Sequence, residues 1–186
     1  GGSSNAATTL IVLNQLWECG LDEQQLAAYG VQLGADVPIF IFGRNAWAEG
    51  IGEKLTPFQT TPQDYLVIAP RETVSTREVF ESLELTKDRI PLKIAGFSNE
   101  LDPKNLVNDL EKGVLKEFKG IALVFDWLNQ FGHAKMTGSG SCFFISLSSV
   151  DEGKKIAEKR PEHTLGFVVK GLNNHPHFNL MLGTEY

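Results

Sequence analysis

The sequence predicts an α+β fold in which helices pack on an antiparallel sheet, and it divides into two domains. Apolar residues recur at helical spacing in the opening segment, and short apolar runs typical of strands follow later, such as Tyr65–Ala69 and Cys142–Leu147. A polar, proline-bearing stretch, Thr60–Asp64, separates two apolar runs. We therefore predict one domain over residues 1–60 and a second over residues 61–186.

The first predicted element is a helix that follows a glycine-serine turn, Gly1-Gly2-Ser3-Ser4-Asn5. Its apolar face carries Ala6, Leu10, Leu13 and Trp17, and Gly20 lies where a helix stop is expected. A helix N-terminus has unpaired backbone N–H groups and a partial positive charge, so small residues there allow a phosphate to approach. Either serine hydroxyl is suited to cap the helix or to reach a phosphate oxygen or a metal ion. The alternative is an ordinary serine-capped helix, and the segment is not a P-loop because no Gly-Lys-Ser/Thr follows.

The rest of the first domain is predicted as a helix from about Asp22 to Leu33 and two strands, Ile39–Phe42 and Ala46–Gly50. Between the helix and the first strand lies Asp36, which is flanked by a small residue and an apolar run. Burying a carboxylate in such a setting is costly unless the group has a partner or a task. Asp36 is therefore a candidate functional residue, and its alternative is an aspartate that ends a helix or makes a turn.

The second domain is predicted to alternate strands and helices. In order they are a strand at Tyr65–Ala69, helices near Thr76–Ser82, near Asn105–Lys112 and at Ala122–Phe131, a strand at Cys142–Leu147, a helix at Val150–Lys159, and a strand at Phe167–Leu172. Asp109 and Glu111 lie two apart on a predicted helix and hence on different faces, so an acid/base pair is not expected there. Gly138-Ser139-Gly140 forms a small-residue loop ahead of an apolar strand, for which a flexible turn is the simpler interpretation.

Composition excludes several classes of protein. The chain has 186 residues, of which 42% are hydrophobic, so it can build a core, and no apolar run approaches the roughly 20 residues of a membrane span. A formal net charge of -6 argues against nucleic acid as a partner. Cys19 and Cys142 are too few for a disulfide framework, so we expect both to be reduced and structural in a cytoplasmic protein.

Three segments together resemble the motif pattern of the GHMP kinases. They are the opening turn, Leu33–Phe40 around Asp36, and Met136–Phe144 around the second glycine-serine loop. Further segments narrow the resemblance to the 4-diphosphocytidyl-2-C-methyl-D-erythritol kinases of non-mevalonate isoprenoid biosynthesis: Ala46–Pro57, Pro70–Phe80, Asn108–Glu111 and Gly166–Gly171. The resemblance implies ATP-dependent phosphorylation of the 2-hydroxyl of that small-molecule substrate. It also implies an incomplete ribosomal-S5-like N-terminal domain that binds ATP and a ferredoxin-like C-terminal domain.

The resemblance assigns roles to particular residues. Asp36 matches the catalytic aspartate, which orients the attacking hydroxyl and takes its proton late. The residues matched to the ATP phosphates are Gly1, Gly2, Ser3, Ser4 and Asn5, with one serine as a ligand of Mg²⁺; which serine is left open. Thr76 matches a threonine near the substrate, although it also suits the N-cap of a helix. Gly138, Ser139 and Gly140 match a loop that lies beside the active site, supports the first loop and is assigned here to substrate binding.

Full-length members of the resembled family begin with a further segment whose lysine assists phosphoryl transfer, and this sequence contains no counterpart of it. We therefore expect the chain to be a fragment that needs that segment as its partner for activity. Family membership implies the cytoplasm of a bacterium or the stroma of a plastid. The alternatives are a GHMP kinase acting on a different small alcohol and an inactive truncated chain that self-associates through exposed apolar surface.

Overall fold

The computed structural model describes residues 1–72, 74 and 107–176. The described chain forms two compact units, one made of Gly1–Pro62 together with the chain from Leu172 onward, and the other of Gln63–Gly171. Thr76 and the helix predicted near Thr76–Ser82 lie outside the described residues.

Three helices form the body of the first unit as described: α1 is Gly2–Leu16, α2 is Glu23–Leu33 and α3 is Val37–Phe42. They share one core made of Ala7, Ile11, Leu26, Val37 and Ile41. Helices α2 and α3 approach closely at Gly30, where a Cβ atom would lie 2.8 Å from Ile41 Cδ1. The absence of a side chain at this position lets the two helices meet. The predictions of α1 and α2 are confirmed, except that Trp17, predicted on the apolar face of α1, is its C-cap residue and is 67% exposed.

The strand predicted at Ile39–Phe42 is wrong, because these residues belong to α3. A short apolar run has no periodicity that separates a buried strand from a buried helix. The local signals favour a helix: Pro38 lies in the first turn, where its missing N–H costs nothing, and Gly43 closes the helix in the left-handed conformation at φ 62°.

A β-hairpin follows in the first unit. Strand β1 (Ala46–Glu49) pairs antiparallel with β2 (Lys54–Pro57), a strand that the sequence analysis missed. The chain from Leu172 returns to this unit, where Asn45 N donates to Asn173 O at 2.8 Å and His175 N donates to Gly43 O at 2.7 Å. The predicted second domain ran to residue 186, whereas these hydrogen bonds join residues 172–176 to the first unit. The boundary between residues 60 and 61 remains a prediction.

The second unit contains a four-stranded antiparallel sheet in the order β4-β5-β3-β6. Its elements are β3 (Asp64–Pro70), α4 (Glu111–Glu117), α5 (Lys119–Leu128), β4 (Lys135–Met136), β5 (Phe143–Leu147), α6 (Val150–Glu158) and β6 (Thr164–Lys170). Strand β3 lies in the middle, with Leu66 opposite Ile145 on one side and Val168 on the other. This is the strand order of a βαββαβ ferredoxin-like domain, so the predicted fold class is confirmed.

The core of the second unit lies between the sheet and the helices. Its fully buried side chains include Leu66 and Ile68 of β3, Phe143 and Ile145 of β5, and Ile121 and Leu128 of α5. Phe125 meets Phe143 edge to face, with ring centroids 5.3 Å apart. Each such side chain contributes about 1.5–3 kcal/mol by leaving water.

Most of the other sequence predictions in this unit are confirmed with small shifts at the ends of elements. The helix predicted near Asn105–Lys112 differs, since residues 107–110 are not helical and α4 begins at Glu111. Both cysteines are free; Cys142 is half-buried, which raises the pKa of its thiol, whereas Cys19 is exposed and does not have the structural role expected of it. Within the described residues, no helix combines the length and the apolar character needed to cross a bilayer.

Candidate functional site

The glycine-serine turn forms the first turn of α1. Gly1 is the N-cap residue, and the helix begins at Gly2, so Ser3 and Ser4 lie inside the first turn. The expectation that a serine caps this helix is wrong, because the helix starts before either serine and no side chain caps it. The first helical hydrogen bond runs from Asn5 N to Gly1 O at 3.0 Å. The N–H groups of Gly2, Ser3 and Ser4 therefore precede the hydrogen-bonded ladder of the helix.

The start of α1 is suited to an anion. Its first turn contains no acidic residue, so nothing there opposes the positive end of the helix dipole. A Cβ atom at Gly1 or Gly2 would meet no atom within 4 Å, so the backbone faces open space. Ser3 and Ser4 are half-buried, which leaves part of each side chain accessible at this end. Backbone N–H groups, hydroxyls and open space together form a setting in which phosphate binds at helix N-termini.

Asp36 occupies the N-cap position of α3, with φ -88° and ψ -5°. Its side chain makes no capping hydrogen bond and is exposed, so the burial that the sequence suggested for this carboxylate is not found. The next residue, Val37, packs in the core that it shares with Ala7 of α1. The helix headed by Asp36 and the helix that begins at the glycine-serine turn thus pack against each other within one unit.

The second glycine-serine loop connects β4 to β5 in the second unit. Thr137 N donates to Cys142 O at 3.0 Å, and Gly140 N donates to Thr137 O at 3.1 Å, which closes the turn. Gly138 and Gly140 adopt φ values of 57° and 93°. Glycine is required most strictly at Gly140, where a Cβ atom would also lie 3.0 Å from Met136 Sδ.

Two residues that the sequence placed on a predicted helix, and to which it gave no role in the site, hold this loop in place. The side-chain amide of Asn108 donates to Met136 O at 3.1 Å and to Gly138 O at 2.8 Å. The carboxylate of Glu111 accepts from Met136 N at 2.8 Å. These contacts span 25 to 30 positions of the chain, so helical spacing gave no signal of them.

A further contact ties the residue after the loop to the segment that follows β3. Ser141 is buried, and its Oγ donates to Glu72 O at 2.8 Å. Of the predicted site residues, the structure thus brings Gly1–Asn5 and Asp36 into the first unit and Gly138–Gly140 into the second, while Thr76 lies outside the described residues.

Neither of two surface clefts includes a predicted site residue. A cleft of about 230 Å³ in the first unit is lined by residues at the end of α3 and by the returning chain, including Phe40, Arg44 and His175. Another of about 400 Å³ in the second unit lies along α6 and includes Lys155 and Lys159. Among the residues that the structure describes, no three His, Cys, Asp or Glu side chains come together as a metal site.

Comparison with protein families gives two matches in chain order. Residues 1–44 match the model of the GHMP kinases N terminal domain, and residues 91–163 match the model of the GHMP kinases C terminal. The first match contains the glycine-serine turn and Asp36, and the second contains Asn108, Glu111 and the Gly138–Gly140 loop.

Individual relatives extend the similarity over nearly all of the chain. The sequence is 44% identical to a 4-diphosphocytidyl-2-C-methyl-D-erythritol kinase of Aromatoleum aromaticum over 176 residues, which are 95% of this chain and 61% of the relative. It is 42% identical to the kinase of that name from Thiobacillus denitrificans over 97% of this chain and 64% of the relative. For the Acinetobacter baumannii kinase the identity is 49% over 80% of this chain and 53% of the relative.

The fold comparison agrees. A crystal structure of 4-(cytidine 5'-diphospho)-2C-methyl-D-erythritol kinase superposes with a TM-score of 0.69 at 28% identity, covering 91% of this chain and 64% of that one. The chain therefore spans about three fifths of the length of the curated relatives it matches.

Proposed function

The chain belongs to the GHMP kinase family, and on that basis we propose that it is the larger part of a 4-diphosphocytidyl-2-C-methyl-D-erythritol kinase. The proposed reaction transfers the γ-phosphoryl group of ATP to the 2-hydroxyl of that substrate. The observation that carries the proposal is the identity of 42–44% along at least 95% of this chain to relatives of that name. Those relatives are bacterial, which favours the bacterial cytoplasm over the plastid stroma.

We assign the nucleotide phosphates to the start of α1. The N–H groups of Gly2, Ser3 and Ser4 precede the helical ladder, and the open space beside Gly1 and Gly2 admits a phosphate. Asn5 is exposed one position further along and is included in the same site. When bound, ATP supplies the phosphoryl group, and Mg²⁺ neutralises part of its charge. The hydroxyls of Ser3 and Ser4 are oxygen ligands of the kind that Mg²⁺ accepts beside phosphate oxygens.

Asp36 is proposed as the group that orients the substrate hydroxyl and receives its proton. Its exposed carboxylate does not cap α3, so its oxygens are not committed to the helix that they precede. The packing of α3 on α1 through Val37 and Ala7 fixes the backbone beside Asp36 relative to the proposed phosphate site. Positioning of this kind supplies much of the rate enhancement in phosphoryl transfer.

The substrate is assigned to Gly138, Ser139 and Gly140, with Thr76 as a further contact. The loop has a defined conformation, because Thr137, Gly140 and Cys142 close it with two backbone hydrogen bonds. Two glycines in the left-handed region remove side chains that would keep a ligand away from the backbone. These features support the assignment of the loop to a polar ligand.

The test uses the complemented chain, by which we mean these 186 residues preceded by the N-terminal segment that the family resemblance implies, taken from the Aromatoleum aromaticum kinase. We expect the complemented chain to phosphorylate the cytidyl substrate with ATP and Mg²⁺, and the 186-residue chain alone to be inactive. Asp36→Asn in the complemented chain should reduce kcat by at least about 10³-fold while ATP still raises the melting temperature. Asn5→Ala should instead raise the KM for ATP, because Asn5 is assigned to the phosphate site and not to the transfer step.

Two outcomes would favour other functions. Turnover of homoserine or a mevalonate derivative in preference to the cytidyl substrate would identify a GHMP kinase for a different alcohol. Concentration-dependent oligomers without nucleotide stabilisation would favour an inactive chain that self-associates. A specific observation makes this second candidate worth testing: Val12, Leu16, Trp17, Tyr29 and Leu33 of the first unit expose 45–69% of their surface.

A further inference from the structure

We propose that Asn108 and Glu111 are positioning residues that set the conformation of the Gly138–Gly140 loop for substrate binding. The inference rests on the proposed function, because it takes the loop as part of the substrate site. It goes beyond that function in naming two residues outside the loop on which the loop's geometry depends. Both lie in the second unit, and so does every contact used below.

Both the donor and the acceptor end of the Asn108 amide are engaged, and this fixes its orientation. Nδ2 donates to Met136 O and to Gly138 O, while Oδ1 accepts from Leu110 N at 3.1 Å. Reversing the amide would place its oxygen against two carbonyl oxygens and its NH₂ group against an N–H donor. Asn108 therefore acts on the loop as a double donor, and no other side chain of similar shape supplies that combination.

Glu111 holds the same residue, Met136, through its backbone N–H. It is the first residue of α4, and its Oε2 accepts from Met136 N at 2.8 Å. Val114, one turn later, is buried, and its Cγ1 would lie 3.7 Å from a Cβ atom at Gly140. The start of α4 thus contacts the strand that leads into the loop, and its next turn lies beneath the last glycine of the loop.

These contacts fix the direction of backbone groups in the loop. In a trans peptide the C=O of one residue and the N–H of the next point in opposite directions. Since Gly138 O points at Asn108, the N–H of Ser139 points away from Asn108. Glycine at 138 and 140 gives the loop access to many other conformations, so an external clamp is needed to keep this one.

Replacement of Asn108 by Asp tests the role as a donor. The variant keeps the shape and the acceptor for Leu110 N, but it turns an oxygen toward the carbonyl oxygens of Met136 and Gly138. Glu111→Gln keeps the hydrogen bond and removes the charge, because a glutamine oxygen still accepts from Met136 N. If Glu111 acted as an acid or base rather than as an acceptor, this variant would lose activity.

Asn129 provides a matched control. Its Oδ1 accepts from Ala134 N at 3.1 Å in the turn before β4, so it also braces a loop of the second unit through its side chain. Asn129→Asp keeps that acceptor and should have little effect. The same change from asparagine to aspartate is thus made at Asn108, which donates to the loop, and at Asn129, which accepts in a different turn.

We expect Asn108→Asp in the complemented chain to lower kcat/KM for the cytidyl substrate on the order of 10²-fold, as a misplaced contact loop does. The KM for that substrate should rise, while the KM for ATP changes by less than about fivefold. Asn129→Asp should stay within about fivefold of the parent in kcat/KM, whereas Glu111→Gln, which keeps a weaker acceptor for Met136 N, should lower kcat/KM but by less than Asn108→Asp does. Amide hydrogen exchange at Gly140 should become faster in Asn108→Asp and remain unchanged in Asn129→Asp.

The KM values separate positioning from a general loss of structure, since a partly unfolded sample loses kcat without a change in the KM of the folded fraction. Asn108→Ala, which removes the donor without adding repulsion, is the second variant if Asn108→Asp does not fold. This inference is overturned if the complemented parent is active and the folded Asn108 variant has the same KM for the cytidyl substrate as the parent. The proposed function would then remain intact. An inactive complemented parent would overturn the proposed function and this inference with it.

Discussion

Asn173 and Thr60 hold each other through a reciprocal pair of hydrogen bonds. Thr60 N donates to Asn173 Oδ1 at 2.9 Å, and Asn173 Nδ2 donates to Thr60 O at 2.9 Å. The side-chain amide of Asn173 thereby satisfies both the N–H and the C=O of Thr60, as the backbone of a neighbouring strand would. Its Oδ1 also accepts from Asn45 Nδ2 at 2.9 Å, so three segments of the first unit meet at one side chain.

Asn173→Ala should lower the free energy of unfolding by about 2 kcal/mol, because several polar groups lose their partner at once. Asn174→Ala is the matched control, since this neighbouring asparagine is exposed and enters the fold through a backbone bridge to Arg44. Urea unfolding followed by tryptophan fluorescence would measure both. Equal effects of the two substitutions would contradict the role given to Asn173.

The two glycines of the second loop should differ in their tolerance of a side chain. Gly138→Ala places alanine in the left-handed region at φ 57° with open space around the new methyl group, at a cost of about 1–2 kcal/mol. Gly140→Ala meets both φ 93° and Met136 Sδ at 3.0 Å, so we expect about 3 kcal/mol or more. Met136 is buried and has little room to move. Thermal unfolding of the two variants measures the difference, and a larger loss for Gly138→Ala would refute this explanation.

Glu53 should make the stability of the first hairpin depend on pH. Its own backbone N–H and that of Ile51, which donates to Oε2 at 2.7 Å, lower the pKa of its carboxyl below the ordinary 4.5. Because the folded-state pKa is lowered, this stabilisation is present above about pH 4.5 and is lost as the pH falls through the folded value.

The comparison of parent with Glu53→Gln tests that dependence. The parent should melt at a higher temperature than the variant at neutral pH, and the difference should shrink as the solution is acidified below the ordinary pKa of glutamate. Glu49→Gln removes a charge from the same hairpin without removing the hydrogen bond to Ile51, and it controls for net charge. A difference that grows on acidification would mean that the ionised carboxylate does not stabilise the turn.

Sequence periodicity identified α1 and β3, but it gave only part of the buried face of α1. Leu66 and Ile68 alternate along β3 as its buried face does. In α1 the buried residues are Ala7 and Ile11; of the predicted face, Ala6 and Leu10 pack partly buried against them, whereas Trp17 is exposed.

Periodicity failed at α3, because the run Val37–Phe42 contains no polar residue and so shows no pattern in the sequence, although Phe40 is exposed while Ile41 and Phe42 are buried. Contacts between distant positions, such as Asn108 with Gly138, leave no local pattern.

The candidate site was also predictable in part, where local sequence determines the backbone. The glycine-serine turn and Asp36 lie at helix N-termini, and the sequence around such positions carries its own signals in small residues and proline. Whether Asp36 is buried depends on how α3 packs, which the sequence did not show. The resemblance to a family identified the residues, whereas their exposure and partners required the structure.

The start of α2 has a capping box that should stabilise the helix on which α3 rests. Asp22 Oδ1 accepts from Gln25 N at 2.8 Å, and Gln25 Oε1 accepts from Asp22 N at 3.0 Å. Asp22→Ala should cost about 1 kcal/mol of unfolding free energy, whereas Gln24→Ala, on the exposed surface of the same turn, should cost little.

The double variant Asp22→Ala with Gln25→Ala should be less destabilised than the sum of the single variants, because both remove parts of one reciprocal pair. Since α2 meets α3 at Gly30 and Ile41, loosening α2 should also raise the hydrogen exchange of α3, including the turn that follows Asp36. Strict additivity would show that the two hydrogen bonds act independently. Faster exchange in α2 with no change in α3 would show that the packing at Gly30 does not transmit the effect to the segment that carries Asp36.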